Sequence, residues 1–156
     1  MRAKFDNGQW RPLIEVALIM GGASQLVWMM LDSGADQTTI SPDLATALTG
    51  LPFDQLGDPG PEILGLGNAP TPSRVADATV VYLGHSVRTR LWVAPTPYPV
   101  VGRNDFMQRF HCRFYWDRQP PEFFVEPATF GASAGRHGGP QQVNPTIRPK
   151  KKRRRM

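Results

Sequence analysis

Gln25-Leu26-Val27-Trp28-Met29-Met30-Leu31 runs directly into Asp32-Ser33-Gly34-Ala35-Asp36, and the fold turns on how this stretch is read. The first seven residues include the apolar and aromatic types that suit a buried strand. A carboxylate placed right after such a run sits where the strand end meets the edge of the core. Ser33 can hydrogen-bond locally, and Gly34 lets the backbone turn or approach a neighbour closely. The stretch therefore presents an acid on a tightly held loop. Asp-Ser-Gly alone also occurs in ordinary turns, so the weight falls on what accompanies it.

The companion is Pro99-Val100-Val101-Gly102-Arg103-Asn104-Asp105-Phe106. Together the two stretches resemble the retropepsin-like aspartic proteases, the single-domain relatives of retroviral protease. That family pairs a hydrophobic strand ending in Asp-[Ser/Thr]-Gly-Ala-[Asp] with a later strand, two apolar residues and Gly-Arg-[Asn/Asp] leading into a short helix. Both halves are present here, in order, and the resemblance covers roughly residues 10 to 127. It implies an all-β, retropepsin-like closed β-barrel with one or two short helices, functioning as a homodimer on a polypeptide substrate. It makes Asp32 the catalytic acid, with Ser33, Gly34 and Ala35 completing the active-site loop and Ser33 bonding across the dimer axis. Asp36 and Arg103 become a structural ion pair, partly buried near the dimer interface. Leu64-Gly65-Leu66-Gly67 falls where the family carries its flap, although the following Ala69-Pro70-Thr71-Pro72 departs from the usual flap pattern.

Peptide hydrolysis of this type needs two carboxyl groups close enough to share one proton, one acting as base on a water and the other as acid. The chain has one such acid and no second Asp-[Ser/Thr]-Gly. The second carboxylate must come from another copy, which a two-fold homodimer supplies. The expected activity is aspartic endopeptidase cleavage with no metal and no cofactor. The rival reading is a non-catalytic module of the same fold, used for dimerisation or peptide binding, with the C-terminal tail as a nucleic-acid or membrane tether. An intact Asp32 favours the enzyme.

At 156 residues one domain is the default. The 15 glycines and 16 prolines cluster between short apolar runs, which favours a β-rich domain over helices. Arg148, Lys150, Lys151, Lys152, Arg153, Arg154 and Arg155 supply seven of the 18 basic residues, leaving 11 against 13 acidic ones, a net of −2, in residues 1–147. The basicity belongs to the tail and suits weak contact with nucleic acid or an anionic surface. Cys112 is the single cysteine, so no intrachain disulfide forms. No apolar run reaches the length of a membrane span, and the N-terminus reads without a secretory h-region. A cytoplasmic protein is expected. His85, His111 and His137 lack metal-ligand spacing. Cys112 reads as a small core residue, and Trp28, Trp92, Phe106, Phe110, Phe114 and Trp116 as core or interface aromatics.

In chain order, residues 1–11 read as a lead-in or edge strand, and Pro12–Met20 and 25–31 as a hairpin across Gly21-Gly22-Ala23-Ser24. Thr38–Ile40 is a short β run. Ser41, Pro42 and Gly50 predict a helix with an N-cap, a proline at its first position and a glycine stop. Val75–Leu83 and Ser86–Ala94 predict strands joined at Gly84-His85, with Val87, Thr89, Leu91 and Val93 facing inward. Val100-Val101 is a buried strand, Asn104 a cap for a short helix through Phe110, and His111–Trp116 with Glu122–Glu126 a closing hairpin. Arg74 reads as a surface residue. The protease domain is assigned to residues 1–127, and 128–156 to a disordered Gly/Pro-rich tail ending in a basic cluster.

Overall fold

The computed structural model describes residues 4–6, 8–64 and 70–128, apart from the side chains of 4–6 and of Leu64. The molecule is mostly β, a closed six-strand barrel with few short helices, as the sequence predicts. A small hairpin of β1 (Lys4–Asp6) and β2 (Gln9–Arg11) precedes the barrel. The barrel begins with β3 (Leu13–Met20) and β4 (Ala23–Leu31), antiparallel from Leu13↔Met30 to Met20↔Ala23. Their two-residue turn, Gly21-Gly22, has φ of +58° and +85°. Such tight hairpins need left-handed backbone at both positions, which glycine adopts without steric penalty. β4 starts at Ala23 rather than Gln25, because the glycine pair closes the turn by itself.

Alternation places Ile14, Val16, Leu18 and Met20 of β3, and Val27, Met29 and Leu31 of β4, in the core. β5 (Thr39–Ile40) leads into α1 (Pro42–Thr49). Ser41 Oγ accepts from Leu44 N–H at 3.3 Å, and Gly50 at φ +72° donates back to Thr46 O, which are the two caps read from the sequence. α1 buries Ala45 and Leu48 against β3 and β4. A 3₁₀ turn at Phe53–Gln55 follows, then β6 (Asp58–Pro59), β7 (Ile63–Leu64) and β8 (Pro70–Thr71).

The ring is completed by β9 (Arg74–Tyr82), β10 (His85–Val93) and β11 (Val100–Val101). Its order is β3, β4, β11, β5, β10 and β9, with β9 returning to β3. β11 lies parallel to β4 and β5 parallel to β10, so two-residue strands close the barrel between long hairpins. Val87, Thr89, Leu91 and Val93 point inward as expected. The β9–β10 turn is Leu83-Gly84, at φ +50° and +76°, one residue earlier than Gly84-His85. Register against Tyr82 decides this, and Leu83 is forced into a conformation that L side chains disfavour.

Two further expectations are corrected. The segment after β11 is a single π turn, Arg103–Met107, closed by Met107 N–H on Gly102 O at 3.1 Å, and Asn104 does not cap it. Phe110 belongs to β12 (Phe110–Tyr115), which pairs with β13 (Glu122–Pro127) as the predicted closing hairpin. Phe106 and Phe110 stack at 4.4 Å, with Tyr82 against both, and seat the π turn on the barrel. Residues 129–156, almost all of the expected tail, lie outside the described residues.

Leu83 is 62% exposed, so replacing it loses little packing. Leu83→Asn, which tolerates left-handed backbone, is expected to stabilise the protein by about 1 kcal/mol. An unchanged or lower Tm on thermal unfolding contradicts this account of the turn.

Candidate active site

The barrel closure sets the site. Because β11 runs parallel to β4, with Val100↔Met30 and Val101↔Leu31, the two stretches singled out in the sequence leave the barrel side by side. Asp32 follows β4 directly. Its N–H donates to Val101 O at 3.3 Å, and its own carbonyl accepts from Ala35 N–H at 3.1 Å, folding Asp32–Ala35 into a tight turn. The carboxylate is half-buried, with Oδ1 accepting from Gly34 N–H at 2.8 Å. A Cβ at Gly34 would stand 3.2 Å from that oxygen, which accounts for glycine there. Among the described residues no hydrogen bond reaches Oδ2. Ser33 is exposed beside it, and Ala35 is half-buried.

The loop is strutted by the second stretch. Arg103 N–H donates to Ala35 O and Asn104 N–H to Asp36 O, both at 2.9 Å. The Arg103 guanidinium also pairs with Asp36 Oδ1. Both side chains are more than half exposed in the single chain, at 56% and 57%. In the single chain the expected Asp36–Arg103 pair is therefore formed and exposed. In that setting such a pair contributes roughly 0.2–1 kcal/mol.

The two loops touch at Gly102. A Cβ there would lie 2.7 Å from Gln37 Cα, closer than real side chains approach. Only glycine lets the two loops meet. Gly102 N–H donates to Thr38 Oγ1 at 3.3 Å, and Thr38 is wholly buried.

Asp105 is the residue the sequence reading missed. Its Oδ2 accepts from Thr89 Oγ1 at 2.6 Å and from Thr38 N–H at 3.2 Å, while Oδ1 accepts from Phe106 N–H at 2.6 Å. One carboxylate thus joins the loop after Asp32, strand β10 and the π turn. Local sequence does not distinguish it, because its partners Thr38 and Thr89 come from distant segments.

Comparisons with known proteins come to little at the level of sequence: no family model and no curated protein matches this chain. Among solved structures the chain is similar to EIAV protease complexed with the inhibitor HBY-793. That similarity has 24% sequence identity and a TM-score of 0.49, over 64% of this chain and 88% of that one. A retroviral protease stands among its structural neighbours.

The expected flap falls between β7 and β8, which pair as Ile63↔Thr71 and Leu64↔Pro70. Gly65, Leu66 and Gly67, with the side chain of Leu64, lie outside the described residues. The base of this arm is tied by hydrogen bonds. Gly60 N–H donates to Ser73 O at 2.9 Å, and the buried Ser73 hydroxyl donates to Pro61 O at 2.5 Å. Arg74, expected at the surface, is a clamp. Its guanidinium donates to the carbonyls of Leu56 and Gly57, each at 3.2 Å, and of Asp54. Five donors in a rigid fork let one side chain hold three carbonyls of one loop.

Burial raises the thiol of Cys112 above its ordinary range, consistent with a small packed residue. Burial, reinforced by Cys112, also raises the Tyr82 phenol. Among the described residues, no three His, Cys, Asp or Glu side chains gather to hold a metal, and no helix is long and apolar enough to cross a membrane.

Two substitutions test the strut. Gly102→Ala drives Cβ into Gln37 backbone, and Asp105→Ala strands the Thr38 amide and the Thr89 hydroxyl. Each should cost roughly 2–4 kcal/mol by chemical denaturation. Arg103→Ala should cost less than about 1 kcal/mol in the isolated monomer. Equal small losses for all three contradict the strut.

Proposed function

We propose that the protein is an aspartic endopeptidase in which Asp32 from each of two copies forms a catalytic dyad across a homodimer axis. The observation that carries this reading is the presentation of Asp32. One carboxylate oxygen is held by Gly34 N–H and the other is unengaged among the described residues, on a loop fixed by a second loop (Gly102–Asp105) distant in sequence. A carboxylate so fixed is pre-organised for chemistry, where a turn aspartate needs no such support.

In the reaction one carboxylate removes a proton from a water that attacks the scissile carbonyl carbon. The other carboxyl donates its proton to the carbonyl oxygen. In the collapse of the tetrahedral diol the carboxyl protonates the leaving amine nitrogen, the C–N bond breaks, and the carboxylate takes back a proton from one hydroxyl, which restores the singly protonated dyad. Water is the nucleophile, with no metal or cofactor taking part. Ser33 is assigned the bond across the axis, and Leu64–Gly67 the cover over an extended substrate. Asp36 and Arg103 brace the loop at the interface. The catalytic domain is taken as residues 1–127, with 128–156 a basic tail suited to weak contact with anionic surfaces. A cytoplasmic location fits a single-cysteine chain.

Purified protein incubated with a peptide library from mildly acidic to neutral pH should cleave, and Asp32→Asn should cut the rate by roughly 10²–10⁴-fold with the fold intact by circular dichroism. Equal cleavage by both proteins eliminates Asp32 as the catalyst. No cleavage by either, with retained peptide binding, favours the non-catalytic module.

The shared dyad makes a separate demand. Specific activity should fall on dilution as the dimer dissociates, in step with the sedimentation coefficient. Full activity from a species that sediments as a monomer excludes a dyad built from two chains.

A further inference from the structure

Of the inward positions of β10, Val87, Thr89, Leu91 and Val93, only Thr89 is polar, and it is buried. A hydroxyl turned into a barrel core needs a partner, where an apolar residue of the same shape would need none. The partner lies 16 residues away: Thr89 Oγ1 donates to Asp105 Oδ2 at 2.6 Å. That length lies in the range of hydroxyl–carboxylate bonds, which are stronger than bonds between neutral groups.

The bond bears on the loop that carries Asp32. The same Oδ2 accepts from Thr38 N–H at 3.2 Å, and Thr38 ends the segment that begins at Asp32. Arg103 and Asn104, just before Asp105, donate their amides to Ala35 O and Asp36 O, and Ala35 N–H donates to Asp32 O in turn. The two loops grip each other. Both are moored to β10, by Trp92 N–H on Thr38 O at 2.9 Å and by the Thr89 hydroxyl on Asp105. The backbone bond fixes Thr38, and the hydroxyl fixes the rotation of the carboxylate that joins the loops.

We infer that Thr89, which lies outside both motif stretches, is a positioning residue for Asp32. Its hydroxyl holds the Asp105 carboxylate and, through it, the loop that aims the catalytic acid. The kinetic consequence rests on the peptidase reading, whereas the placement of the loop does not. A carboxylate released from Thr89 turns about its side-chain bonds, and Thr38 N–H must follow it or lose its acceptor. Small displacements of a reacting group cost rate out of proportion to their size.

Two substitutions separate the hydroxyl from the packing. Thr89→Val keeps the shape and removes the donor, and Thr89→Ser keeps the donor and removes a buried methyl. Kinetics on the full chain belong at concentrations where specific activity no longer rises, so that dimer dissociation plays no part. There Thr89→Val should lower kcat roughly 10–100-fold and change KM less than about twofold. Thr89→Ser should keep kcat within about twofold of wild type, whatever stability it loses. In amide spectra of the isotope-labelled protein, Gly34 N–H, the donor to Asp32 Oδ1, reports on the loop directly. Its resonance should shift and its hydrogen exchange quicken in Thr89→Val, and both should match wild type in Thr89→Ser. A Gly34 amide that Thr89→Val leaves unmoved overturns the proposal, as does one that both variants move alike. An unchanged kcat in Thr89→Val, with a wild type that cleaves, overturns it too. A wild type that cleaves nothing removes the peptidase reading, and the Gly34 amide then decides by itself whether Thr89 places the loop.

Discussion

The approach of Gly102 to the backbone of Gln37 is the constraint on which the rest of the molecule depends. Two loops leave neighbouring parallel strands at one end of the barrel, and they interlock because one of them lacks a side chain at the contact. Once they touch, Arg103 and Asn104 amides find the carbonyls of Ala35 and Asp36, and Thr38 and Asp105 complete a polar core beneath. Buried polar groups tolerate burial only when fully paired, so the network holds one arrangement rather than several. The orientation of Asp32 is a consequence of that arrangement.

The barrel has the same logic on a larger scale. Long hairpins supply most of the buried apolar surface, while β5 and β11 contribute two residues each and serve to close the ring. Closing strands so short would fray if their neighbours did not hold them. Val101 and Ile40 are fully buried between the long strands, and Phe106 packs below them. Hydrophobic burial therefore falls where the loops after β4 and β11 are anchored. The arm of β7 and β8 shows the opposite arrangement: it is tied at its base by Ser73 and Arg74, and its described residues pair over a two-residue ladder.

The sequence by itself determined whatever depends on neighbours a few residues apart. The inward and outward alternation of β3 and β10, the Gly21-Gly22 hairpin and both caps of α1 follow from periodicity and from hydrogen bonds within one turn of chain. The sequence also marks Asp32 and Gly102 by residue type, each directly after an apolar strand. What only the tertiary structure decided are contacts between segments 16 to 67 residues apart. Asp105 could be a cap, a surface acid or a buried acceptor until Thr38 and Thr89 were brought to it, and the close approach at Gly102 exists only because β11 pairs with β4. Arg74 looked like a surface cation because the carbonyls it binds lie in a loop some twenty residues earlier. The turn at Leu83 fell against local preference because the β9–β10 register, fixed along nine pairs, outweighs one residue's dislike of left-handed backbone. Local chemistry chose the elements, and the free energy of joining them in three dimensions chose how the loops between them are held.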